Sequence, residues 1–429
     1  MIFRPMQGLL KRLAIKGTNN YNRSMAYRTR ILEKHILSAL KEGNRVIVEG
    51  TCGTGKTTLL RKVSERPFDV RKALSNPSSA LALDMDRSLP FSGKGIHGVD
   101  GLDLDYDLLP FQKGKAVYMS SRATGFDHFT LYPLSFYEEG ISNGAVSLNA
   151  LFSGAYEDGL TATTDFSLED LILALSKGGF PVSLGKKTST YPRKIYQTLL
   201  KGALSKESKT EQSPERISAL LKRYASAVGT IEKNTDMLRD LRGRDPSLAE
   251  STLYDLLNAL RRLLILDEIE AWYPPIKASP TIRRLSKKEF IDPSLALVFQ
   301  KKGDADLRKD PLLLQRLFEG ACARDLKVYS SGMGGKVKYY EDRFGLRSDL
   351  ALFLKNGKYA LIQCRLGEND GKASEAQLLE LKKKILIHDS RDAENMIGLP
   401  SFLLVLDNSA SAYRSKNGVY HCPLACLGE

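Results

Sequence analysis

The sequence predicts an α/β protein whose front part is a parallel sheet built around a phosphate-binding loop. Three observations carry this. Residues 46–60, VIVEGTCGTGKTTLL, run from an apolar strand through a glycine loop into a helical pattern, the order a P-loop requires. Strand candidates alternate with helical segments around it. Apolar residues make up 42% of the chain with no run of 18, so a globular protein without a membrane-spanning helix is expected.

Taken in order, residues 27–42 (YRTRILEKHILSALKE) read as an amphipathic helix. Leu32, Ile36, Leu37 and Leu40 share a face, and Gly43 stops it. The stretch before it, MIFRPMQGLLKRLAIKG, is not read as a signal peptide, because Lys11, Arg12 and Lys16 interrupt its apolar part. Strand 45–49 then feeds the loop.

The candidate nucleotide-binding residues are Gly50, Thr51, Gly53, Thr54, Gly55, Lys56, Thr57 and Thr58. Glycines let backbone N–H groups converge on an anion that side chains would otherwise block. The following helix adds free N–H groups and its positive dipole end. Lys56 is expected at the β- and γ-phosphates of ATP, and the Thr57 hydroxyl at its Mg²⁺.

Residues 80–85 (ALALDM) read as a second strand, 88–114 as loop, and KAVYMSS (115–121) as a third strand. A P-loop ATPase also needs a strand ending in Asp-Glu, the Asp for Mg²⁺ and the Glu for the attacking water. Near the loop the candidates are Asp84, Asp103, Asp105 and Asp107, none followed by Glu. ATP binding without efficient hydrolysis is the expectation. LLILDEIE (263–270) has the right ending, Asp267-Glu268, but lies more than 200 residues beyond Lys56 across a helical region and is read as a decoy.

A Gly-, Ser-, Thr- and Ala-rich stretch at 139–167 marks a boundary. From 168 to 262 the pattern is mostly helical: LEDLILALSKGG, YPRKIYQTLLKGAL, PERISALLKRYASAV and STLYDLLNALRRLLIL, the last with Ser251 as N-cap. A helix pair near 214–262 followed by an apolar strand suggests a winged helix-turn-helix. Such a unit can bind DNA through its second helix. Leu253, Leu256, Leu257 and Leu260 form an ordinary core stripe, which favours packing. From about 285 the pattern turns α/β again: a helix (311–325), strands KVYSS, KVKYYED, DLALFLKNG and KYALIQCRLG, a helix (373–386), and strands near 401–406 and 418–424. At 429 residues two or three domains are expected. The boundaries fall at 1–142, 143–284 and 285–429.

Net charge is +14, and residues 186–290 hold 21 Lys and Arg against 13 Asp and Glu, a local +8. A basic middle points to nucleic acid or, equally, to a solvated surface. Five scattered cysteines, an odd number, suggest free thiols in a reducing cytoplasm. His421-Cys422-x-x-x-Cys426 has no second pair nearby and reads as a closing strand.

Several blocks in order resemble one family over nearly the whole length. They are YRTRILEKHI, GTCGTGKTTLL, LYPLSFYE (131–138), GGFP (178–181), LDEIEAWYPPI (266–276), FIDPSLAL (290–297), LFEGACARDLKVYSS, and GGKVKYYEDRFGLRSDLALFLKNGKYALIQCRLG. The family is the prokaryotic AAA-type ATP-binding proteins whose C-terminal part is domain of unknown function 4143, with a PD-(D/E)XK nuclease-like fold. The resemblance implies a nuclease-like α/β domain at 285–429 and a helical, winged-helix middle. It makes LDEIEAW the strand after the winged helix and puts the Asp-bearing strand before KAVYMSS. It also assigns the nuclease-centre positions to Glu319, Asp349, Gln363 and Arg365. Where the family pattern resembles I-E-V-K, this chain has I-Q-C-R. Gln363 offers a neutral carbonyl for a carboxylate, and Arg365 cannot shed a proton. Glu368 is a weak substitute. A degenerate nuclease is therefore expected.

Three functions follow. An ATP-binding protein could control a nucleic-acid-binding, nuclease-like domain. The chain could be an ATP-sensing scaffold for a protein partner, or an active metal-dependent nuclease. AAA-type relatives often form rings, which leaves an oligomer open, although no clear arginine finger is visible.

Overall fold

The computed structural model describes residues 27–43, 45–101, 108–119, 127–185, 214–276, 282–367 and 371–429. The front part is a five-stranded sheet: β1 (Arg45–Glu49), β2 (Arg66–Asp69), β3 (His97–Asp100), β4 (Ala116–Met119) and β5 (Asp127–Thr130). Their spatial order is β2-β3-β4-β1-β5, and every pairing is parallel. Val46–Val48 of β1 and all of β4 are buried because both sheet faces are covered. Val46 and Val48 pack on one face against Leu32, Ile36 and Leu40 of the helix Ile31–Glu42 and Leu59 and Leu60 of the helix Lys56–Val63. Ile47 packs on the other with Val70, Leu83, Val99 and Tyr118.

Two expectations for this region are corrected. ALALDM is not a strand but the last six residues of a nine-residue helix, Pro77–Met85. Asn76 caps it by accepting from the Ser79 N–H, Pro77 presets its first turn, and only Leu83 is buried. A short apolar run does not by itself distinguish strand from helix. The stretch 88–114 is not all loop, since it contains β3. Gly98 sits in that strand because a Cβ there would lie 2.3 Å from Ser64 Oγ and 2.9 Å from Leu60 Cγ. The helix after the P-loop rests directly on β3.

A second sheet has eight strands in the order β7-β13-β14-β12-β11-β10-β9-β8. These are β7 (Thr161–Thr163), β8 (Glu270–Ala271), β9 (Lys336–Glu341), β10 (Arg347–Phe353), β11 (Tyr359–Cys364), β12 (Phe402–Asp407), β13 (Ser411–Arg414) and β14 (Tyr420–Pro423). β9, β10 and β11 form an antiparallel meander, and the helix Gly371–Arg391 crosses over so that β12 runs parallel to β11. Alternate residues feed two cores. Leu350, Leu352, Ile362 and Leu404 meet Leu317, Phe318 and Ala321 of the helix Pro311–Tyr329. Ala351, Leu361, Leu403 and Val405 meet Leu378, Leu381 and Ile385 of the crossover helix. KVY of the expected strand KVYSS is the end of Pro311–Tyr329 instead, where Val328 and Tyr329 are buried on the helical period.

β7 and β8 come from residues 143–284, and a separate parallel pair joins β6 (Val146–Ser147) to β15 (Leu427–Gly428). Three helices, Pro214–Ser226, Asn234–Arg242 and Glu250–Arg262, pack where the sequence suggests two. The last begins after Ala249 rather than at Ser251. Antiparallel bridges Leu266↔Phe290 and Ile269↔Lys287 follow. The expected helix YPRKIYQTLLKGAL lies outside the described residues. Among the described residues no helix is long and apolar enough to cross a membrane.

Candidate functional site

The glycine loop leaves the carboxyl end of β1, which lies between β4 and the edge strand β5. Gly50 is required there, because a Cβ would lie 2.7 Å from the Leu131 carbonyl oxygen. Gly53 and Gly55 adopt φ of 84° and 96°, the left-handed region that glycine tolerates. Thr51 and Thr54 are buried, and Thr54 Oγ1 donates to the Thr51 carbonyl at 2.9 Å. Gly55 caps the helix Lys56–Val63, whose first-turn N–H groups open onto the loop. Lys56 Nζ donates to the carbonyls of Gly50 at 2.6 Å and Thr51 at 3.0 Å. The ammonium thus lies across the loop. Thr58 is exposed on the outer side.

The acidic partner is Asp100. It ends β3, one strand removed from β1 across β4, and shares its register row with Met119 and Val48. Thr57 Oγ1 donates to Asp100 Oδ2 at 2.5 Å. A hydroxyl and a carboxylate on the same side of a lysine are the donor set that Mg²⁺ bound to nucleotide phosphates takes. Asp100 is the residue sequence reasoning missed. Gly101 follows it, so the Asp-Glu ending that would have marked it is absent. Of the earlier candidates, Asp84 is exposed on the helix Pro77–Met85 rather than at a strand end. Asp103, Asp105 and Asp107 lie outside the described residues.

Arg30 braces the loop from behind. Its buried guanidinium donates to the Thr54 carbonyl at 3.0 Å, the Tyr132 carbonyl at 2.6 Å and Glu138 Oε1 at 3.0 Å. Glu138 belongs to the short helix Phe136–Glu139, whose first N–H is donated by Phe136 to Asp325 Oδ2 at 2.9 Å. Asp325 lies on Pro311–Tyr329, beside Arg324, which also pairs with Asp292. Buried polar contacts thus run from the P-loop to the long helix of the second sheet.

That helix carries Glu319, and the structure brings Glu319, Asp349, Gln363 and Arg365 together. The cluster is already neutralised. Lys287, which the sequence did not mark, pairs with Glu319 and donates to the Asp349 carbonyl at 3.3 Å. Arg365 donates to Asp349 Oδ2 at 2.6 Å and to Gln363 Oε1 at 2.7 Å. Gln363 Nε2 donates to the Arg347 carbonyl, and the Cys364 N–H to Asp349 Oδ2. Burial opposes the charge on Lys287, but Glu319 and Asp349 outweigh it and hold the ammonium above its ordinary range. Among the described residues no group of three or more His, Cys, Asp and Glu is arranged to hold a metal ion. This cluster does not fit Mg²⁺. Glu368 lies outside the described residues.

The pair Asp267-Glu268 lies outside the five-stranded sheet. Asp267 pairs with Lys327, and Glu268 with Arg261 and Lys288. All five cysteines are free, and Cys422 is buried in β14.

Among solved structures the chain is similar to the Walker-type ATPase PABY2304 of Pyrococcus abyssi. The identity is 13% and the TM-score 0.38, over 65% of this chain and 99% of that one. No protein-family model and no curated protein matches the chain.

Proposed function

We propose that this chain binds ATP with Mg²⁺ at the loop Gly50–Thr58 and uses the bound state to control a catalytically silent, nuclease-like C-terminal unit that contacts nucleic acid. The observation that carries the first part is the Thr57–Asp100 bond beside Lys56 and the positive-φ glycines. The loop N–H groups and Lys56 would hold the phosphates, and Thr57 and Asp100 the ion. The ion would neutralise phosphate charge. With Gly101 after Asp100, the carboxylate that would polarise the attacking water does not follow directly in the chain, and turnover slow relative to binding is the expected outcome. Cytoplasmic location is part of this reading and rests on the free cysteines.

The second part rests on the order helix, three-strand meander, crossover helix, parallel strand around Glu319 and Asp349, which suits a PD-(D/E)XK-like unit. The cations inside it favour loss of nuclease chemistry. The three helices and bridged hairpin at 214–290 suit a winged-helix unit. The domains 1–142, 143–284 and 285–429 and the resemblance to the family with domain of unknown function 4143 belong to the same reading. The contacts from Thr54 through Arg30 and Glu138 to Asp325 supply a route for control.

Calorimetric titration of ATP tests the first part. Wild type should bind in Mg²⁺, and Lys56→Ala should weaken binding by roughly 30-fold or more, the loss of a charge-assisted contact. Equal affinity in the two proteins would overturn it.

A further inference from the structure

A cleft of about 630 Å³ opens between the turn before Asn234–Arg242, the segment entering the hairpin at 282–285, and the β9–β10 turn. Four cations line it: Lys233, Arg283, Arg284 and Arg343, all exposed. Two carboxylates line it as well, but both face other cations. Glu232 pairs with Arg223, and Asp236 with Arg239 at 3.0 Å. Arg283 approaches Glu341 only at 3.8 Å. Lys233, Arg284 and Arg343 make no ion pair with a described residue. Among the described residues the lining carries four cations against two carboxylates, an excess of positive charge that contrasts with the paired buried clusters elsewhere.

Two exposed aromatic residues adjoin the lining, Tyr273 in contact with Arg284 and Phe344 following Arg343 in the chain. Tyr273 is 50% exposed, with the Arg284 guanidinium 5.6 Å from its ring centre. Its hydroxyl donates to the Arg284 carbonyl at 2.6 Å, which fixes the ring. Phe344, next to Arg343, is 74% exposed. Asp342 holds that turn by accepting from the N–H groups of Phe344 at 2.8 Å and Leu346 at 3.1 Å. Cations spaced along a cleft meet successive phosphates, and exposed rings held in place stack on unpaired bases. A paired base offers no free face to such a ring. We infer that this cleft binds single-stranded nucleic acid. The inference deepens the functional reading above and rests on its nucleic-acid part, not on ATP binding.

The test uses the full chain and a fluorescently labelled 20-nucleotide poly-dT, read by anisotropy at several salt concentrations. Neutralising about four phosphates predicts a slope of log K against log salt near −3. Arg284→Glu with Arg343→Glu should weaken binding by roughly 30-fold and flatten that slope. Tyr273→Ala with Phe344→Ala should weaken it by roughly tenfold with the slope unchanged. Lys309→Glu with Lys383→Glu, on exposed faces of other segments, should change it less than twofold. An unaltered urea-unfolding midpoint in each variant reports an intact fold, and Arg284→Gln with Arg343→Gln serves if the reversals misfold. Failure of wild type to bind would overturn both the cleft and the nucleic-acid part of the reading. Binding that survives both substitutions would overturn the cleft alone. Equal affinity for duplex, or for polyglutamate, would overturn the assignment to single strands.

Discussion

Two clusters in this chain carry the residue types of phosphate and metal chemistry, and they are finished differently. At the P-loop, Lys56 rests on backbone carbonyls and Asp100 on a neutral hydroxyl. These carbonyls and this hydroxyl are neutral partners that a phosphate or a divalent ion can replace. At the second cluster, Glu319 and Asp349 are held by Lys287 and Arg365, charged groups of the same chain. A metal ion there would have to displace a buried ammonium or guanidinium and leave it unpaired, which costs several kcal/mol. Whether a carboxylate is available for chemistry thus depends less on its presence than on what already neutralises it.

The largest effect that would break this comparison is on stability. Lys287→Ala leaves Glu319 buried without its cation and should cost about 3–5 kcal/mol, read from urea unfolding. A loss under about 1 kcal/mol would mean the pair is not a structural element. Asp100→Asn keeps the Thr57 contact but removes the charge. It should leave ATP affinity in EDTA nearly unchanged and abolish the gain that Mg²⁺ gives, about tenfold, by the same calorimetry. An undiminished Mg²⁺ effect would send the ion elsewhere.

The smallest effect sharpens the comparison at its margin. Glu289 is buried beside the second cluster, and neither of its carboxylate oxygens has a hydrogen-bond partner among the described residues. Burial, with Glu319 adding to it, pushes its pKa well above the ordinary carboxylate range. A raised folded-state pKa means the native state holds a proton that the unfolded chain has released. Its stabilising contribution is therefore full below the unfolded value and fades as pH rises toward the folded one. Glu289→Gln should change stability at pH 5 by less than about 1 kcal/mol and flatten the decline at higher pH. An unchanged slope of unfolding free energy against pH would contradict this.

The legibility of the two clusters differs for a physical reason. The P-loop was readable because its constraint is local. Gly50, Gly53, Gly55, Lys56 and Thr57 act within eight residues, and each spacing has a backbone cause. β3 was not readable. It has four residues, two of them His97 and Gly98, and its glycine answers to Ser64 and Leu60 in another element. Asp100 went unseen with it. The charged triplet Lys287, Lys288 and Glu289 reads as a solvated face, yet all three are buried. The partners of the two lysines, Glu319 and Glu268, lie 32 and 20 residues away, and no local pattern announces such pairing. Helix and strand alternation in 285–429 was largely visible, because β10, β11 and β12 are buried on both faces and read as apolar runs. The end of Pro311–Tyr329 was not, since KVY suits a strand as well as a helix.

The most direct test of the account counts metal sites. Mn²⁺ binding to the wild-type chain would be followed by electron paramagnetic resonance, with and without ATP. One ion should bind only when ATP is present, and it should be lost in Asp100→Asn and kept in Asp349→Ala. An ion bound without nucleotide and lost in Asp349→Ala would contradict this, and would make the second cluster the working centre.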